Sequence, residues 1–292
     1  MDQAEQLRNI VKQKNQQLVP SARVITVTSG KGGVGKSNIA VNMAIQMQKS
    51  GKRVIIVDAD FGLANVEVMF GTIPKYNFGD LIYHGKNIRD IITVGPMGIG
   101  FISGGSGITG VNNRTKDQID YLISSMKELD QMADVIIIDT GAGISDSVLE
   151  FVLASPEIIL VTTPEPSSLT DSYSLLKVLY RNPEFQWNEK RIKVISNRVD
   201  SVEEGTAIFN KINTVVEQFL NGKLEYLGVL PQDAMLERAV RQQQPVVLSY
   251  PEANVSKAFA VLTENLLEEK DVQFQMKKGV ARLFSNLLHR RK

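Results

Sequence analysis

The sequence contains no cysteine among its 292 residues. This absence excludes disulfide bonds, thiolate catalysis and iron–sulfur clusters held by cysteine, and it is consistent with a reducing cytosol. An excess of one charge sign is also missing, because 33 basic residues are balanced by 32 acidic ones. The chain as a whole is therefore not a polyelectrolyte that binds nucleic acid through its overall charge.

Long apolar runs and targeting signals are missing as well. No apolar stretch approaches the roughly 20 residues that a membrane-spanning helix requires. The N-terminus, MDQAEQLRNI, lacks the basic start and apolar centre of a signal peptide. What is present is ordinary for a globular protein, with 43% hydrophobic and 22% charged residues. A chain of this length can bury a full core without covalent staples.

Short β-branched runs alternate with segments of helical period, such as 36–50, 115–131, 168–180 and 205–220. Several runs are apolar at consecutive positions, which is typical of strands covered on both faces. The pattern predicts one doubly wound α/β domain at residues 21–267, with a mostly parallel sheet and helices on both faces. The predicted strands are RVITVT (Arg23–Thr28), RVIIVD (Arg53–Asp58), GIGFI (Gly98–Ile102), DVIIID (Asp134–Asp139), EIILVT (Glu157–Thr162), RIKVIS (Arg191–Ser196) and EYLGVL (Glu225–Leu230).

A phosphate-binding loop follows the first predicted strand. The stretch GKGGVGKS satisfies G-x-x-x-x-G-K-[ST] and stands between a strand and a helix, which predicts a P-loop NTPase. Glycines allow backbone N–H groups to turn inward around phosphate oxygens, and the following helix directs its positive end there. In this motif the last lysine neutralises the β- and γ-phosphates, and the serine binds Mg²⁺. The predicted nucleotide ligands are Gly30, Lys31, Gly32, Gly33, Val34, Gly35, Lys36, Ser37 and Asn38.

A second lysine inside the loop, Lys31, distinguishes this motif from that of most P-loop NTPases. The form K-G-G-x-G-K-[ST] resembles the deviant Walker A motif of the MinD/ParA ATPases. The resemblance implies a homodimer formed with ATP and Mg²⁺, in which Lys31 reaches across a two-fold interface to the partner's nucleotide. Such a lysine would stabilise charge in the transition state as an arginine finger does. The alternative is a solvated surface lysine.

Two further stretches resemble the switches of the same family. In "VDADFGLANVEVMFG" the resemblance makes Asp60 the residue that positions or activates the attacking water, with Asp58 close to the Mg²⁺ shell. In "VIIIDTGAGISD" it makes Asp139 the Walker B residue that holds Mg²⁺ through water. Alternatively, these aspartates only cap the helices that follow them.

Two late stretches resemble the adenine-binding loops of the family. In "VISNRVD" the resemblance implies that Asn197 and Arg198 contact adenine, and an amide suits that base because it both donates and accepts. In "VLPQDAMLERAV" it implies a second loop beside the base, with Pro231 and Asp233. For Asp233 the role of N-cap of a helix through Val240 remains an equal alternative.

Within the family, "DADFGLAN" and "IDTGAGIS" resemble the FlhG branch of flagellar-number ATPases, also called YlxH or FleN. Position 64 is alanine where MinD usually carries arginine. The N-terminal element "DQAEQLR" strengthens the resemblance, which implies that segment 1–20 activates the signal-recognition-type GTPase FlhF. The alternative is a helix docked on its own core. The candidate partner-binding residues are Asp2, Gln3, Leu7 and Arg8.

The last segment, residues 271–292, is predicted to be a basic amphipathic helix that lies on an anionic membrane. Its apolar residues recur at helical spacing and basic residues flank them, a pattern typical of interfacial helices. Packing of this helix on the core, or contact with nucleic acid, are the alternatives. The candidate membrane residues are Val280, Leu283, Phe284, Leu287 and Leu288.

The sequence therefore predicts a slow ATPase switch, cytoplasmic and peripheral on the inner face of the cell membrane when ATP is bound. ATP, its product ADP and Mg²⁺ are the expected cofactors, and a second copy, an FlhF-type GTPase and anionic lipid are the expected partners. Nucleic acid is not expected. A division-site regulator like MinD and a DNA-partitioning ATPase like ParA are the alternatives. Contacts with the flagellar switch complex or with a transcription regulator, which family members are thought to make, are left open.

Overall fold

A computed structural model of the chain describes residues 21–60, 65–105, 116–186, 189–268, 280 and 284, and it describes no side chain at 116–120, 122 and 123. Strands and helices alternate along these ranges. The strands are β1 (Arg23–Thr28), β2 (Val54–Ala59), β3 (Thr93–Val94), β4 (Gly100–Ile102), β5 (Val135–Thr140), β6 (Glu157–Thr162), β7 (Arg191–Val199) and β8 (Glu225–Pro231). The α-helices are α1 (Lys36–Lys49), α2 (Asn65–Phe70), α3 (Phe78–Tyr83), α4 (Ile88–Ile91), α5 (Lys116–Met132), α6 (Asp146–Ala154), α7 (Pro166–Arg181), α8 (Val202–Leu220), α9 (Ala234–Arg241), α10 (Val246–Ser249) and α11 (Asn254–Glu268).

The strands of the described ranges form one sheet in the order β3-β4-β2-β5-β1-β6-β7-β8. Every neighbouring pair is parallel except β3 and β4. This confirms the predicted mostly parallel, doubly wound sheet. The sequence did not indicate β3, because a strand of two residues is too short to display a period.

Both faces of the sheet are covered, which explains why its strands are apolar at consecutive positions. In β1, Ile25 and Val27 belong to one core cluster, which also contains residues of α1 and α11. Val24, one residue before Ile25, belongs to a second cluster with residues of α5. Alternate side chains of one strand therefore enter different layers, as expected for a sheet between two layers of helices.

The position of β1 determines where the site lies. It stands between β5 and β6, with β2 beyond β5 and β7 beyond β6. Since the strand order runs away from β1 in both directions, the loops at the carboxyl ends of these strands border a crevice. The P-loop and both predicted switches stand at the carboxyl ends of strands of this group, and Asn197 and Arg198 lie in the last residues of β7.

Some predictions concern residues outside the described ranges. These are the N-terminal helix, with Asp2, Gln3, Leu7 and Arg8, and the candidate membrane residues Leu283, Leu287 and Leu288. Within the described ranges, no helix combines the length and the apolar character needed to cross a lipid bilayer.

Candidate nucleotide site

Glycines determine the shape of the loop between β1 and α1. Gly33 and Gly35 have φ angles of 76° and 102°, in the left-handed region that side chains disfavour. Gly30 packs against α7, and a Cβ there would lie 2.1 Å from the carbonyl carbon of Asp171. Gly35 is also the N-cap of α1, so the positive end of this helix faces the loop. This is the geometry that binds phosphate at a helix N-terminus.

Lys36 is the first residue of α1, and its side chain lies among carboxylates. The residue is only 8% exposed. Burial lowers the pKa of its ammonium group, while the charges of Asp139 and Asp60 act in the opposite direction. The predicted phosphate lysine and the predicted acidic residues therefore lie in one place.

Asp139, in β5, is fully buried. Neither carboxylate oxygen has a hydrogen-bond partner within the described residues. Burial raises the pKa of this carboxyl to about 6, although the nearby Ser37 hydroxyl and Lys36 ammonium favour its charged form. A buried carboxylate without a partner is unfavourable, and a hard cation such as Mg²⁺ prefers such oxygen ligands. Ser37 and Asp139 therefore fit a magnesium ion held next to the phosphate loop.

Asp58 lies beside Asp139 in the sheet, where the two residues are paired in register on β2 and β5. Its two oxygens accept backbone N–H groups from Asp60, at 3.1 Å, and from Val66, at 3.2 Å. Burial and the neighbouring charge of Asp139 raise the pKa of this carboxyl to about 7. Asp58 therefore lies beside the candidate metal ligand Asp139, and it also holds the backbone of the first switch.

Asp60 stands where the first switch meets the second. Its Oδ2 accepts a hydrogen bond of 3.1 Å from the side-chain amide of Asn65, at the start of α2. Its Oδ1 faces Gly141, where an added Cβ would approach to 3.4 Å. The N–H of Gly143 in turn donates to the carbonyl of Ser29, at 2.9 Å. The P-loop and the two switches are therefore in mutual contact.

The side chain of Lys31 is held at the start of α7. Its Nζ lies 2.6 Å from Oε2 of Glu165 and 2.7 Å from the hydroxyl of Ser167. The side chains of this ion pair are 34% and 53% exposed. Lys31 is therefore neither buried among the phosphate ligands nor free in solvent, but held at the surface by the start of α7.

A cleft of about 660 Å³ adjoins the end of the P-loop. At its floor, the amide of Asn197 donates to the carbonyl of Val34 at 2.7 Å, and the guanidinium of Arg198 donates to the carbonyl of Gly33 at 2.8 Å. Arg198 has a φ of 59°, a strained backbone conformation for a residue with a side chain. The predicted base residues Asn197, Arg198, Pro231 and Asp233 all line this cleft, together with Gly35 and Asn38.

Asp233 is the N-cap of α9. One of its oxygens accepts the N–H of Met235 at 2.8 Å, and the other accepts the N–H of Val255 at 3.2 Å. The capping alternative therefore describes what its carboxylate does in this conformation. Its place in the wall of the cleft leaves a role beside the base open.

Two residues of the predicted C-terminal helix are buried in the core. Val280 is 0% exposed and Phe284 is 3% exposed. The ring of Phe284 lies 5.9 Å from those of Phe78 and Phe151, centroid to centroid. The N–H of Val280 donates to Oδ1 of Asp130 at 2.7 Å. In this conformation the two residues are packed on the core, which was the alternative to membrane binding. Neither side chain is available to a membrane.

Sequence reasoning missed three contacts of the site. Glu165 and Ser167 hold Lys31, and Asn65 holds Asp60. Glu165 could have been found from the sequence because it follows β6. The loops that follow neighbouring parallel strands lie close together, so Glu165 is expected near the P-loop after β1. For Asn65 the sequence gives only nearness to the switch, which does not specify the contact.

Comparison with known proteins agrees with this geometry. The ParA family model, described as NUBPL iron-transfer P-loop NTPase, matches residues 21–267. The chain is 38% identical to the antiactivator FleN of Pseudomonas aeruginosa over 244 residues, which is 84% of this chain and 86% of FleN. It is 33% identical over 257 residues to the flagellum site-determining protein YlxH of Helicobacter pylori, which is 83% of this chain and 82% of YlxH.

This chain belongs to the ParA/MinD family of P-loop NTPases. Members of the ParA/MinD family are ATPases that use ATP with Mg²⁺, so the chain is assigned ATPase activity with the family. The septum site-determining protein MinD of Pyrococcus horikoshii, solved with Mg-ADP, has the same fold. It superposes with a TM-score of 0.66 at 24% identity, over 88% of this chain and 98% of that chain. The name of the family model mentions iron transfer, but this sequence contains no cysteine that could bind an iron–sulfur cluster.

Proposed function

We propose that this ParA/MinD ATPase is a nucleotide-dependent switch that regulates the number and placement of flagella. Mg²⁺ and ATP drive two copies into a face-to-face homodimer, and hydrolysis returns them to monomers. The dimer associates with the inner face of the cell membrane through residues 271–292. Residues 1–20 stimulate an FlhF-type GTPase, and residues 21–267 hold the nucleotide.

The position of Lys31 is the observation that most directly supports the proposed switch. Its ammonium group is at the surface, on an ion pair with Glu165 that is open to solvent. Ion pairs of this kind are weak, so a negatively charged phosphate from a partner subunit can replace the carboxylate. A lysine that already belonged to the phosphate site of its own chain would have no such role.

The same residues support a division of labour in hydrolysis. Lys36 binds the phosphates, and Ser37 and Asp139 hold the metal, which neutralises charge on the phosphates when bound. Asp60, fixed by Asn65, orients the attacking water. Lys31 of the partner subunit adds positive charge as the transition state forms.

The flagellar role is supported by the relatives and by the N-terminal element. YlxH is named a flagellum site-determining protein and FleN an antiactivator, and each match covers more than four fifths of this chain. The element Asp2–Arg8 has the capping and apolar pattern of a short helix that orders on a partner. We therefore assign stimulation of the GTPase to this element.

Membrane association is supported by the amphipathic pattern of the last segment. The buried positions of Val280 and Phe284 correspond to its resting state. Release of these side chains exposes apolar surface that an interfacial helix inserts between lipids. Two such helices in one dimer bind with higher avidity than a single helix, so dimerisation couples ATP to attachment.

Co-sedimentation with vesicles tests this proposal. Wild-type protein with ATP and Asp60→Ala with ATP are compared with wild-type protein in ADP, on vesicles that contain anionic lipid. We expect Asp60→Ala to remain bound because it holds ATP without hydrolysing it, and the ADP form to stay in the supernatant. Normal hydrolysis by Asp60→Ala would overturn the role of Asp60, and equal binding in ADP would overturn nucleotide control.

Two further measurements separate this function from its alternatives. Addition of the full chain should raise the GTPase rate of an FlhF-type enzyme, and the chain without residues 1–20 should not. Full stimulation by the shortened chain favours a MinD-like role. Tight, salt-sensitive binding of the ATP form to duplex DNA, without binding to vesicles, favours a ParA-like role.

A further inference from the structure

The turn after α2 exposes an apolar side chain two residues before a lysine. Ile73 is 92% exposed, the largest exposure among the large hydrophobic side chains described. Lys75 follows two residues later and is also exposed. A single exposed isoleucine is ordinary on a protein surface. Ile73 becomes informative through the basic and aromatic residues that follow it within three positions.

The two lysines converge on one aromatic ring. Nζ of Lys86 lies 4.3 Å from the ring centroid of Tyr76, and Nζ of Lys75 lies 5.2 Å from it. A hydrogen bond from Lys86 lowers the pKa of the Tyr76 phenol, and the charge of Lys75 acts in the same direction. The backbone of Lys86 is fixed as well, because its carbonyl accepts the hydroxyl of Tyr121 at 2.8 Å.

No acid neutralises these two ammonium groups with an ion pair among the described residues. The charge of Asp80 interacts with Lys86. Its carboxylate already accepts the N–H of Asn77 at 2.9 Å and contacts the ring of His84 at 2.9 Å. Two like charges held over one phenol repel each other, and an added anion would relieve that repulsion.

This surface lies beside the residues of the C-terminal segment. Tyr76 packs against the same core cluster that contains Val280 and Phe284. Phe78, two residues after Tyr76, stacks on the ring of Phe284 at 5.9 Å. Tyr76 and the two buried residues of the C-terminal segment therefore contact one core cluster.

We infer that Ile73, Lys75, Tyr76 and Lys86 form a second membrane contact, which binds the phosphate groups of anionic lipids. We call it the lysine–tyrosine surface. The lysines and the phenol hydroxyl donate to headgroup phosphate, and Ile73 enters the interface between headgroups and acyl chains. The inference deepens the proposed membrane association and rests on it.

Lipid explains the four residues better than nucleic acid does. A phosphate backbone would use the lysines, but it offers no apolar layer for Ile73. The ring of Tyr76 and the side chain of Ile73 suit the amphipathic boundary of a bilayer. A contact on the core also orients the dimer on the membrane, which two helices alone would not fix.

The test measures binding of full-length protein to vesicles of 30% phosphatidylglycerol and 70% phosphatidylcholine, in a non-hydrolysable ATP analogue. The variant Lys75→Gln/Lys86→Gln is compared with Lys211→Gln/Lys223→Gln, which removes the same charge from exposed positions in and just after α8. We expect about 10- to 30-fold weaker binding for the first variant, since each lysine near an anionic surface contributes on the order of tenfold or less. We expect less than about threefold for the second, and unchanged ATPase rates without vesicles for both.

A fluorescence measurement checks the role of Ile73 separately. The only tryptophan of the sequence, Trp187, is replaced by phenylalanine, and Ile73→Trp then supplies the only indole. We expect its emission to shift to the blue with anionic vesicles and to remain unchanged with duplex DNA.

The outcomes distinguish this inference from the function on which it rests. If wild-type protein does not bind the vesicles, the proposed membrane association fails. If wild-type protein binds and Lys75→Gln/Lys86→Gln binds equally well, the association stands and the lysine–tyrosine surface is refuted. An equal loss in both double variants, or an emission shift with DNA but not with vesicles, refutes it too.

Discussion

The ammonium nitrogen of Lys31 lies 2.6 Å from Oε2 of Glu165 in the same chain. The second lysine of the P-loop is thus held by the loop after β6 and not by the phosphate site of its own subunit. For the proposed dimer this contact is a resting position, which Lys31 leaves when the partner's nucleotide arrives. The proposed monomer and dimer therefore differ in the contact made by the Lys31 side chain.

Replacement of Lys31 tests this relationship. Lys31→Ala should bind ATP with nearly wild-type affinity, because Lys36 and the glycine loop remain. It should fail to dimerise, and its hydrolysis rate should fall at least about 100-fold, since cations supplied in trans have effects of this size or larger. Titration with a fluorescent nucleotide measures the affinity, and phosphate release measures the rate.

Glu165→Gln is the matched control, because it removes the carboxylate that holds Lys31 but keeps the lysine. It should retain ATP binding and ATP-driven dimerisation. Loss of ATP binding in Lys31→Ala would mean that the lysine serves its own subunit.

The buried carboxylates predict a pH dependence of stability. The pKa of Asp139 is raised to about 6 and that of Asp58 to about 7, both from 3.8. Between these values and 3.8 the folded state binds more protons than the unfolded state, so the free energy of unfolding contributed by these groups falls as pH rises. Asp139→Asn should therefore stabilise the nucleotide-free protein above pH 6, by on the order of 1–3 kcal/mol at pH 8, and have little effect at pH 4. Thermal unfolding at a series of pH values measures this.

Asp134 supplies a control of opposite sign. Arg53 holds the pKa of this carboxyl below its ordinary value, so its contribution to stability is present above the unfolded pKa and is lost in acid. Asp134→Asn should destabilise the protein slightly at neutral pH, because the ion pair is exposed. If Asp139→Asn destabilised the protein at pH 8, this would contradict the claim that the buried charge of Asp139 is unfavourable without a bound cation.

Gly35 predicts a specific loss of nucleotide affinity. A Cβ at this position would lie 2.5 Å from the side-chain nitrogen of Asn197, and the φ of 102° strains any side chain. Gly35→Ala should displace Asn197 from the cleft and weaken ATP binding at least about tenfold. Isothermal titration calorimetry with ATP and Mg²⁺ measures the effect.

Gly51→Ala separates backbone strain from the local clash. Gly51 also has a positive φ, of 81°, but no atom lies within 4 Å of its added Cβ. This variant should lose about 1 kcal/mol of stability and keep its ATP affinity. Equal ATP affinities in both variants would show that Asn197 has no part in nucleotide binding.

The hydrogen bond from Val280 to Asp130 predicts how the last segment is held. Asp130→Ala removes the acceptor at 2.7 Å and should loosen Val280 and Phe284. We expect this variant to bind anionic vesicles even in ADP, with faster hydrogen exchange near residue 280. Glu128→Ala removes an acid from the same helix, one that pairs with Arg89, and should behave as wild type. If Asp130→Ala still requires ATP for vesicle binding, this contact does not restrain the segment.

Much of the fold and the candidate site could be predicted because both depend on local pattern. The buried strands are consecutive runs of apolar residues, and the P-loop combines glycines, lysine and serine at a fixed spacing. The helix after Asp233, the position of Asp60 directly after β2 and that of Asp139 near the end of β5 follow from the same kind of signal. Such features depend on residues close together in the chain.

The features that could not be predicted from the sequence depend on contacts between distant segments of the chain. The partner of Lys31 is 134 residues away, and the acceptor for Val280 is 150 residues away. An amphipathic pattern fits a membrane and a groove on the core equally well, so only the packing of Phe284 on Phe78 and Phe151 distinguishes the two for this conformation. The approach of Lys86 to Tyr76, ten residues earlier in the chain, also depends on packing that the sequence does not specify.

Sedimentation velocity of Asp60→Ala with Mg²⁺ and saturating ATP tests the central claim most directly, because this variant should hold ATP without consuming it. The account predicts a dimer in ATP, a monomer in ADP, and a monomer in ATP once Lys31→Ala is added to Asp60→Ala. A species that stays monomeric in ATP, or a dimer that persists without Lys31, would contradict it.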